Sequence, residues 1–138
     1  MNEEFKIRKA DLSDVRDIHK MINGFAKKDV MLPRSLNELY DHIRDFWVAE
    51  HKGKIIACCA FHPMWEDMAE IKSLAVKDSC QGKGLGEKLI DACLKESDRL
   101  KVKKVFALTY IPEFFEKYGF SKGDKEKMPH KIWSECIK

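Results

Sequence analysis

The chain has 138 residues, 44% hydrophobic and 36% charged, and its 26 basic and 23 acidic residues leave a formal net charge of +3. That length suits one domain with one substantial core, and the composition excludes a disordered chain. The two signs of charge are interspersed and the short basic clusters at 101–104 and 122–127 read as solvated surface, so no one-sided stripe marks a nucleic-acid partner, and no run of about 18 apolar residues marks a membrane span.

In chain order, Phe5-Lys6-Ile7-Arg8 alternates apolar and polar residues and predicts a short strand. Asp11 is placed to cap a helix that brings Val15, Ile18, Ile22 and Phe25 onto one face. A loop follows over 27–34, with Pro33 as its stiff point. Ser35-Leu36-Asn37-Glu38 is a capping-box pattern opening a second helix, with Leu36, Leu39, Tyr40 and Ile43 inward. The period then changes. Trp47-Val48-Ala49-Glu50 and the run 55–61 flank Lys52-Gly53-Lys54 and read as a hairpin. A third strand runs from Met68 to Val76 and leads into a glycine-rich loop. A long helix is expected from about Leu85 to Leu100, burying Leu85, Leu89, Cys93 and Leu100 with Ile90 and Leu94 beside them. Val105-Phe106-Ala107-Leu108 is a wholly apolar strand of the buried kind. Pro112 suits the first turn of a short helix carrying Phe114 and Phe115 and ending at Gly119, and a last strand is expected within 131–137. The order is β-α-α-β-β-β-α-β-α-β without internal repeat or linker, so one α+β domain spanning 1–138 is expected.

Cys58, Cys59, Cys80, Cys93 and Cys136 are odd in number and irregular in spacing. Adjacent Cys58 and Cys59 should point to opposite faces of their strand, so the set reads as free thiols in a reducing compartment. His19, His42, His51 and His62 are scattered, no Cys or His pair has metal-ligand spacing, and no metal is expected. The first nine residues carry charges and no apolar core, so no signal peptide is expected and the protein reads as cytoplasmic.

Gln81-Gly82-Lys83-Gly84-Leu85-Gly86 joins a strand to a helix. Glycines at 82, 84 and 86 allow positive φ and let the main chain approach a ligand without Cβ collisions. The helix that follows offers unpaired N–H groups and a positive dipole end to an anion, with Lys83 and Lys88 able to add charge. The spacing is neither that of the dinucleotide fingerprint nor that of the P-loop, so the loop alone says only that an anion fits.

Ala69-Glu70-Ile71-Lys72-Ser73-Leu74-Ala75-Val76 followed by Gln81–Gly86 resembles motif A of the GNAT acetyltransferases. Phe114-Phe115-Glu116-Lys117-Tyr118-Gly119-Phe120 is similar to a later segment of that family, and the element order matches its fold over essentially the whole chain. The resemblance implies the GNAT fold, a central mixed and mostly antiparallel sheet, splayed and flanked by helices. It implies acetyl-CoA as co-substrate, lying in the V between the 70–76 and 105–108 strands. By carry-over, the main chain of Leu74, Ala75 and Val76 faces the pantetheine arm, with Leu74 and Val76 pairing with it. Gln81 opens the loop, and the amides of Gly82, Lys83, Gly84, Leu85 and Gly86 hold the pyrophosphate.

Acetyl transfer from a thioester to an amine needs deprotonation of the amine, stabilisation of the developing oxyanion and departure of the thiolate. A backbone N–H around Ser73–Ala75 is the natural oxyanion donor. Glu70 is the candidate base, because it shares a strand face with Lys72. Where the family carries a tyrosine as general acid, this chain has Phe115. Either Tyr110 or Tyr118 supplies the proton, or none is needed, since a thiol with a pKa of about 8.5 leaves tolerably as thiolate.

Met31-Leu32-Pro33-Arg34, the 70–76 strand, Leu108-Thr109 and Met128-Pro129-His130-Lys131-Ile132-Trp133 resemble amino-acid N-acetyltransferases of the N-acetylglutamate synthase type. That implies transfer to the α-amine of glutamate, for arginine biosynthesis, with Arg34, Lys72 and Lys131 gripping its carboxylates. Two separated cations suit a dicarboxylate, and Arg binds one in bidentate fashion. The kinase-like regulatory domain of larger synthases is absent from this sequence, so arginine feedback through it is not expected. The alternatives are a GNAT enzyme for another amine (a polyamine, a drug or a protein lysine) and a non-catalytic acyl-CoA sensor. Homodimers are common in the family, and the resemblance leaves one open here.

Overall fold

A computed structural model of the chain describes residues 5–28, 33–108 and 112–120. Among the described residues five strands, β1 (Lys6–Lys9), β2 (Phe46–His51), β3 (Lys54–Met64), β4 (Met68–Val76) and β5 (Lys104–Ala107), form one sheet in that spatial order. The first three pairings are antiparallel and the β4–β5 pairing is parallel. A parallel neighbour demands a crossover, and helix α3 (Leu85–Leu100) provides it. The α+β class and the mixed, mostly antiparallel sheet agree with the sequence.

Helices α1 (Val15–Ala26) and α2 (Leu36–Asp41) cover one face of the sheet, while α3 and the short α4 (Pro112–Glu116) lie on the other. Alternation along β3 separates the two cores: Cys58 and Ala60 pack with Val15, Ile18, Ile22 and Phe46, and Ala57, Cys59 and Phe61 pack with Leu85, Leu89 and Cys93. A strand buried on both sides reads as a continuous apolar run, which is why 55–61 shows no period of two. Cys58 and Cys59 do take opposite faces.

The caps follow their chemistry. Asp11 accepts from the Ser13 backbone N–H, and Asp14 accepts from that of Asp11, closing a capping box on the 3-10 turn Leu12–Asp14 that leads into α1. Ser35 Oγ accepts from the Glu38 N–H at 3.1 Å and opens α2.

Two expected core residues lie outside the core. Tyr40 is 40% exposed, because α2 is only six residues long and only Leu39 on it is buried. Leu100 is 42% exposed: it ends α3, and the next residue, Lys101, turns the chain away in the left-handed region at φ +61°. Ile43 is buried as expected, although it sits in the 3-10 turn Ile43–Asp45 and not in α2. The strand expected within 131–137 lies outside the described residues. No helix among the described residues is long and apolar enough to cross a membrane.

Candidate active site

The site is built on an irregularity in β4. Cys58 pairs with Ala75 and Ala60 with Lys72, so Cys59 alone stands opposite Ser73 and Leu74. That extra residue is a β-bulge, and it holds Ser73 at φ +56°, a region that costs a non-glycine residue roughly 1–3 kcal/mol. The Cys58 thiol donates to the Ser73 carbonyl at 3.5 Å. Burial pushes that thiol up to about 12, so it keeps the proton it donates.

The bulge also reorders the strand's faces. Ile71 and Leu74 pack with α3, while Lys72 and Ser73, consecutive in sequence, both lie on the opposite face. Glu70 shares that face by alternation. It is buried, and Lys72 Nζ lies 4.0 Å from its Oε1.

Arg34 reaches the same place from the other side of the chain. Its main chain is held twice by Asn23 of α1: the Arg34 N–H donates to Asn23 Oδ1 at 3.1 Å, and Asn23 Nδ2 donates to the Arg34 carbonyl at 2.9 Å. The guanidinium lies 5.3 Å from the ring centre of Phe46, donates from Nε to Glu38 at 3.1 Å and from Nη1 to Ser73 Oγ at 3.2 Å. It is 7% exposed, yet Glu38 is half open to solvent. An arginine stacked, clamped and paired in this way is oriented before any ligand arrives.

On the opposite side of β4, pairing with β5 stops at Ile71↔Ala107. Residues 72–76 therefore present main-chain groups with no strand partner on that side among the described residues. An extended ligand arm can add there as a strand would.

The glycine loop begins directly after that open stretch. Gln81 Nε2 donates to the Val76 carbonyl at 3.1 Å and to Asp78 Oδ1 at 3.2 Å, tying the loop to the end of β4. Gly82 and Gly84 take φ of +82° and +76°. Gly84 is the N-cap of α3 and brings no side-chain cap, so the first-turn amides are open to a ligand anion. Gly86 differs from the expectation of positive φ at all three glycines. It lies inside the first turn of α3, where an added Cβ would stand 3.1 Å from the Phe114 ring, so its small size serves packing of α4 onto α3. Lys83 sits over the Phe5 ring at 5.9 Å, and Lys88 lines an open surface depression together with Ile7 and Trp47.

Phe115 is buried in the α3-side core, edge-on to Phe114 at 5.3 Å. Tyr118 lies beside it, and burial, followed by the negative charges of Glu87 and Asp91, raises its phenol above the ordinary value. Tyr110 and Lys131 lie outside the described residues. Asn23 has no signal in the sequence, and Ser73 and Glu38 are expected there as an oxyanion-donor position and a capping residue, not as partners of Arg34. Of these contacts to Arg34, only the one with Glu38 has a local signal, the i, i+4 spacing.

Comparison with known proteins agrees with this geometry. The Acetyltransferase (GNAT) domain profile matches residues 42–122. The chain is 38% identical to an uncharacterised N-acetyltransferase of Chlorobaculum tepidum, covering 94% of this chain and 84% of that protein. It is 34% identical to the amino-acid acetyltransferase of Mycobacterium tuberculosis, covering 96% and 77%. Among solved structures, N-acetylglutamate synthase of Neisseria gonorrhoeae, complexed with coenzyme A and N-acetyl-glutamate, superposes with a TM-score of 0.91 at 27% identity. The match covers 98% of this chain and 32% of that much longer one.

Proposed function

The chain belongs to the GNAT acetyltransferase family and is an acetyl-CoA-dependent acetyltransferase, and on that premise we propose that its acceptor is the α-amine of a small acidic amino acid, L-glutamate, as a step toward arginine. The observation that carries the acceptor is the position of Arg34, buried, clamped by Asn23 and bonded to Ser73 on the face of β4 that also holds Lys72 and Glu70. A fixed guanidinium with a second cation, Lys72, on the same face suits a dicarboxylate and disfavours polyamine or lysine acceptors. The family relatives named amino-acid acetyltransferases support the same reading.

In this mechanism acetyl-CoA adds its pantetheine arm along Leu74, Ala75 and Val76. Its pyrophosphate rests on the amides of Gly82, Lys83, Gly84, Leu85 and Gly86, with Gln81 holding the loop to β4. Arg34 and Lys72, with Lys131 as a third cation, bind the carboxylates of glutamate. Glu70 takes the proton from the α-ammonium, directly or through water, and the freed amine attacks the thioester carbonyl. A backbone N–H at the Ser73–Ala75 bulge stabilises the oxyanion. Collapse breaks the C–S bond, and the coenzyme A thiolate leaves and takes up, through water, the second proton that the attacking nitrogen sheds as it becomes an amide. Phe115 supplies no acid, and a good leaving group does not require one.

The test follows free thiol while the protein turns over acetyl-CoA with a panel of amino acids, polyamines and lysine peptides. Glutamate-dependent thiol release is expected. Release with a cationic amine and none with glutamate would overturn the acceptor while leaving the family intact. Tight coenzyme A binding with no turnover on any amine would favour a sensor.

A further inference from the structure

Acetyl transfer makes no use of His42, Asp45 and His62, which the sequence scatters and the fold gathers. His42 caps the 3-10 turn Ile43–Asp45, and residues three apart in such a turn eclipse one another, so His42 and Asp45 project together. β3 runs on past its last pairing with β2, Phe46↔Ala60, and carries His62 over that turn. His62 Nδ1 lies 2.6 Å and His42 Nδ1 3.6 Å from the same Asp45 oxygen, Oδ2. The two imidazoles stand edge to face with ring centres 5.1 Å apart. One ligand atom from each of the three residues lies within 4.8 Å of the other two.

We propose that His42, Asp45 and His62 form a binding site for a divalent late first-row transition metal of the Zn2+ class. Two imidazoles and one carboxylate are the donor set such ions take, whereas Mg2+ and Ca2+ prefer oxygen alone. A tetrahedral ion with bonds of about 2.0–2.1 Å holds its ligand atoms roughly 3.4 Å apart. The two contacts to Asp45, at 2.6 and 3.6 Å, bracket that spacing. Entry opens the His62–Asp45 contact by less than about 1 Å, and His62 ligates through the Nδ1 lone pair in the tautomer that carries its proton on Nε2. The side chains of His42 and His62 are 41% and 24% exposed, which leaves an approach from solvent and a fourth position for water. His62 is also the cross-strand partner of Glu70, so the centre neighbours the face of β4 that carries Glu70, Lys72 and Ser73.

The full chain, reduced and free of chelator, is titrated with Co2+ by visible absorption and with Zn2+ by calorimetry. One equivalent should bind with the d–d bands of a nitrogen and oxygen site and without thiolate charge-transfer bands, while Mg2+ should not compete. His62→Ala and His42→Ala should each weaken binding at least about tenfold, and His51→Ala should leave it unchanged. His42 is exposed enough that its variant remains decisive if His62→Ala fails to fold. Absence of binding at millimolar metal, thiolate bands pointing to a cysteine such as Cys80, or unchanged affinity in His42→Ala would overturn the site.

Discussion

Nη1 of Arg34 donates a hydrogen bond to Oγ of Ser73 at 3.2 Å, so the residue just before the cap of α2 is tied to the point where β4 bulges. The same bulge that holds Ser73 at φ +56° therefore also fixes the position of a cation. The proposed co-substrate and acceptor sites share this one strand.

Arg34→Ala removes a charge-assisted contact worth about 1.5–3 kcal/mol, so KM for glutamate should rise roughly 10–100-fold. KM for acetyl-CoA should stay within about twofold, since Arg34 touches no part of the glycine loop. Arg34→Lys keeps the charge and loses the paired geometry, and should fall between. Steady-state kinetics with each substrate varied checks this. Equal rises in both KM values would mean that Arg34 only holds the fold.

Glu70→Gln removes the proposed base from a buried position beside Lys72. kcat should fall by about 10²–10⁴, and the residual rate should climb with pH as solution delivers more free amine. A kcat within about threefold of the parent, with an unaltered pH profile, would sink this assignment.

Three glycines should respond in three ways. Gly84→Ala places a Cβ at φ +76°, at a cost of about 1–2 kcal/mol, and should weaken coenzyme A binding about tenfold by distorting the loop. Gly86→Val drives methyl groups into Phe114, 3.1 Å from the Cβ position, and overpacking of that kind costs about 1–3 kcal/mol, so the melting temperature should drop as well. Gly24, inside α1 with nothing within 4 Å of an added Cβ, should gain roughly 0.5–1 kcal/mol on becoming alanine. Calorimetry with coenzyme A and thermal melts separate the three.

Asp14 governs acid stability. The Arg8 guanidinium, 2.7 Å away, holds its carboxyl below the ordinary range against the opposing effect of burial, and the Asp11 N–H adds to this. A depressed folded value means that the contribution is complete above about pH 5 and is lost as pH falls below about 3.9 toward the folded value. Asp14→Asn should lower stability near neutrality by about 1.5–3 kcal/mol and flatten the acid limb. Urea melts across pH 3–7 measure both, and parallel acid limbs in the two proteins would contradict it.

Much of the architecture was legible because its signals are local. The span of α3, the caps at Asp11 and Ser35, the buried run of β3 and the positive-φ glycines 82 and 84 all depend on neighbours within a few residues. Tyr40 and Leu100 misled because helical period places a side chain on a face but does not say where the helix stops or what that face meets. Gly86 misled for a related reason: a glycine required for φ and one required for a ring 28 positions away look alike in a sequence.

By itself the sequence determined the α+β class, the order of elements and the loop that suits a pyrophosphate, since period, capping and glycine spacing act over short range. Only the tertiary structure decided the bulge at Ser73, the stop in β4–β5 pairing after Ile71, the clamp of Asn23 on Arg34 and the meeting of His42, Asp45 and His62. Each depends on the register between strands or on contacts between segments far apart in the chain. Such contacts exist only after the two cores have packed on opposite faces of one sheet.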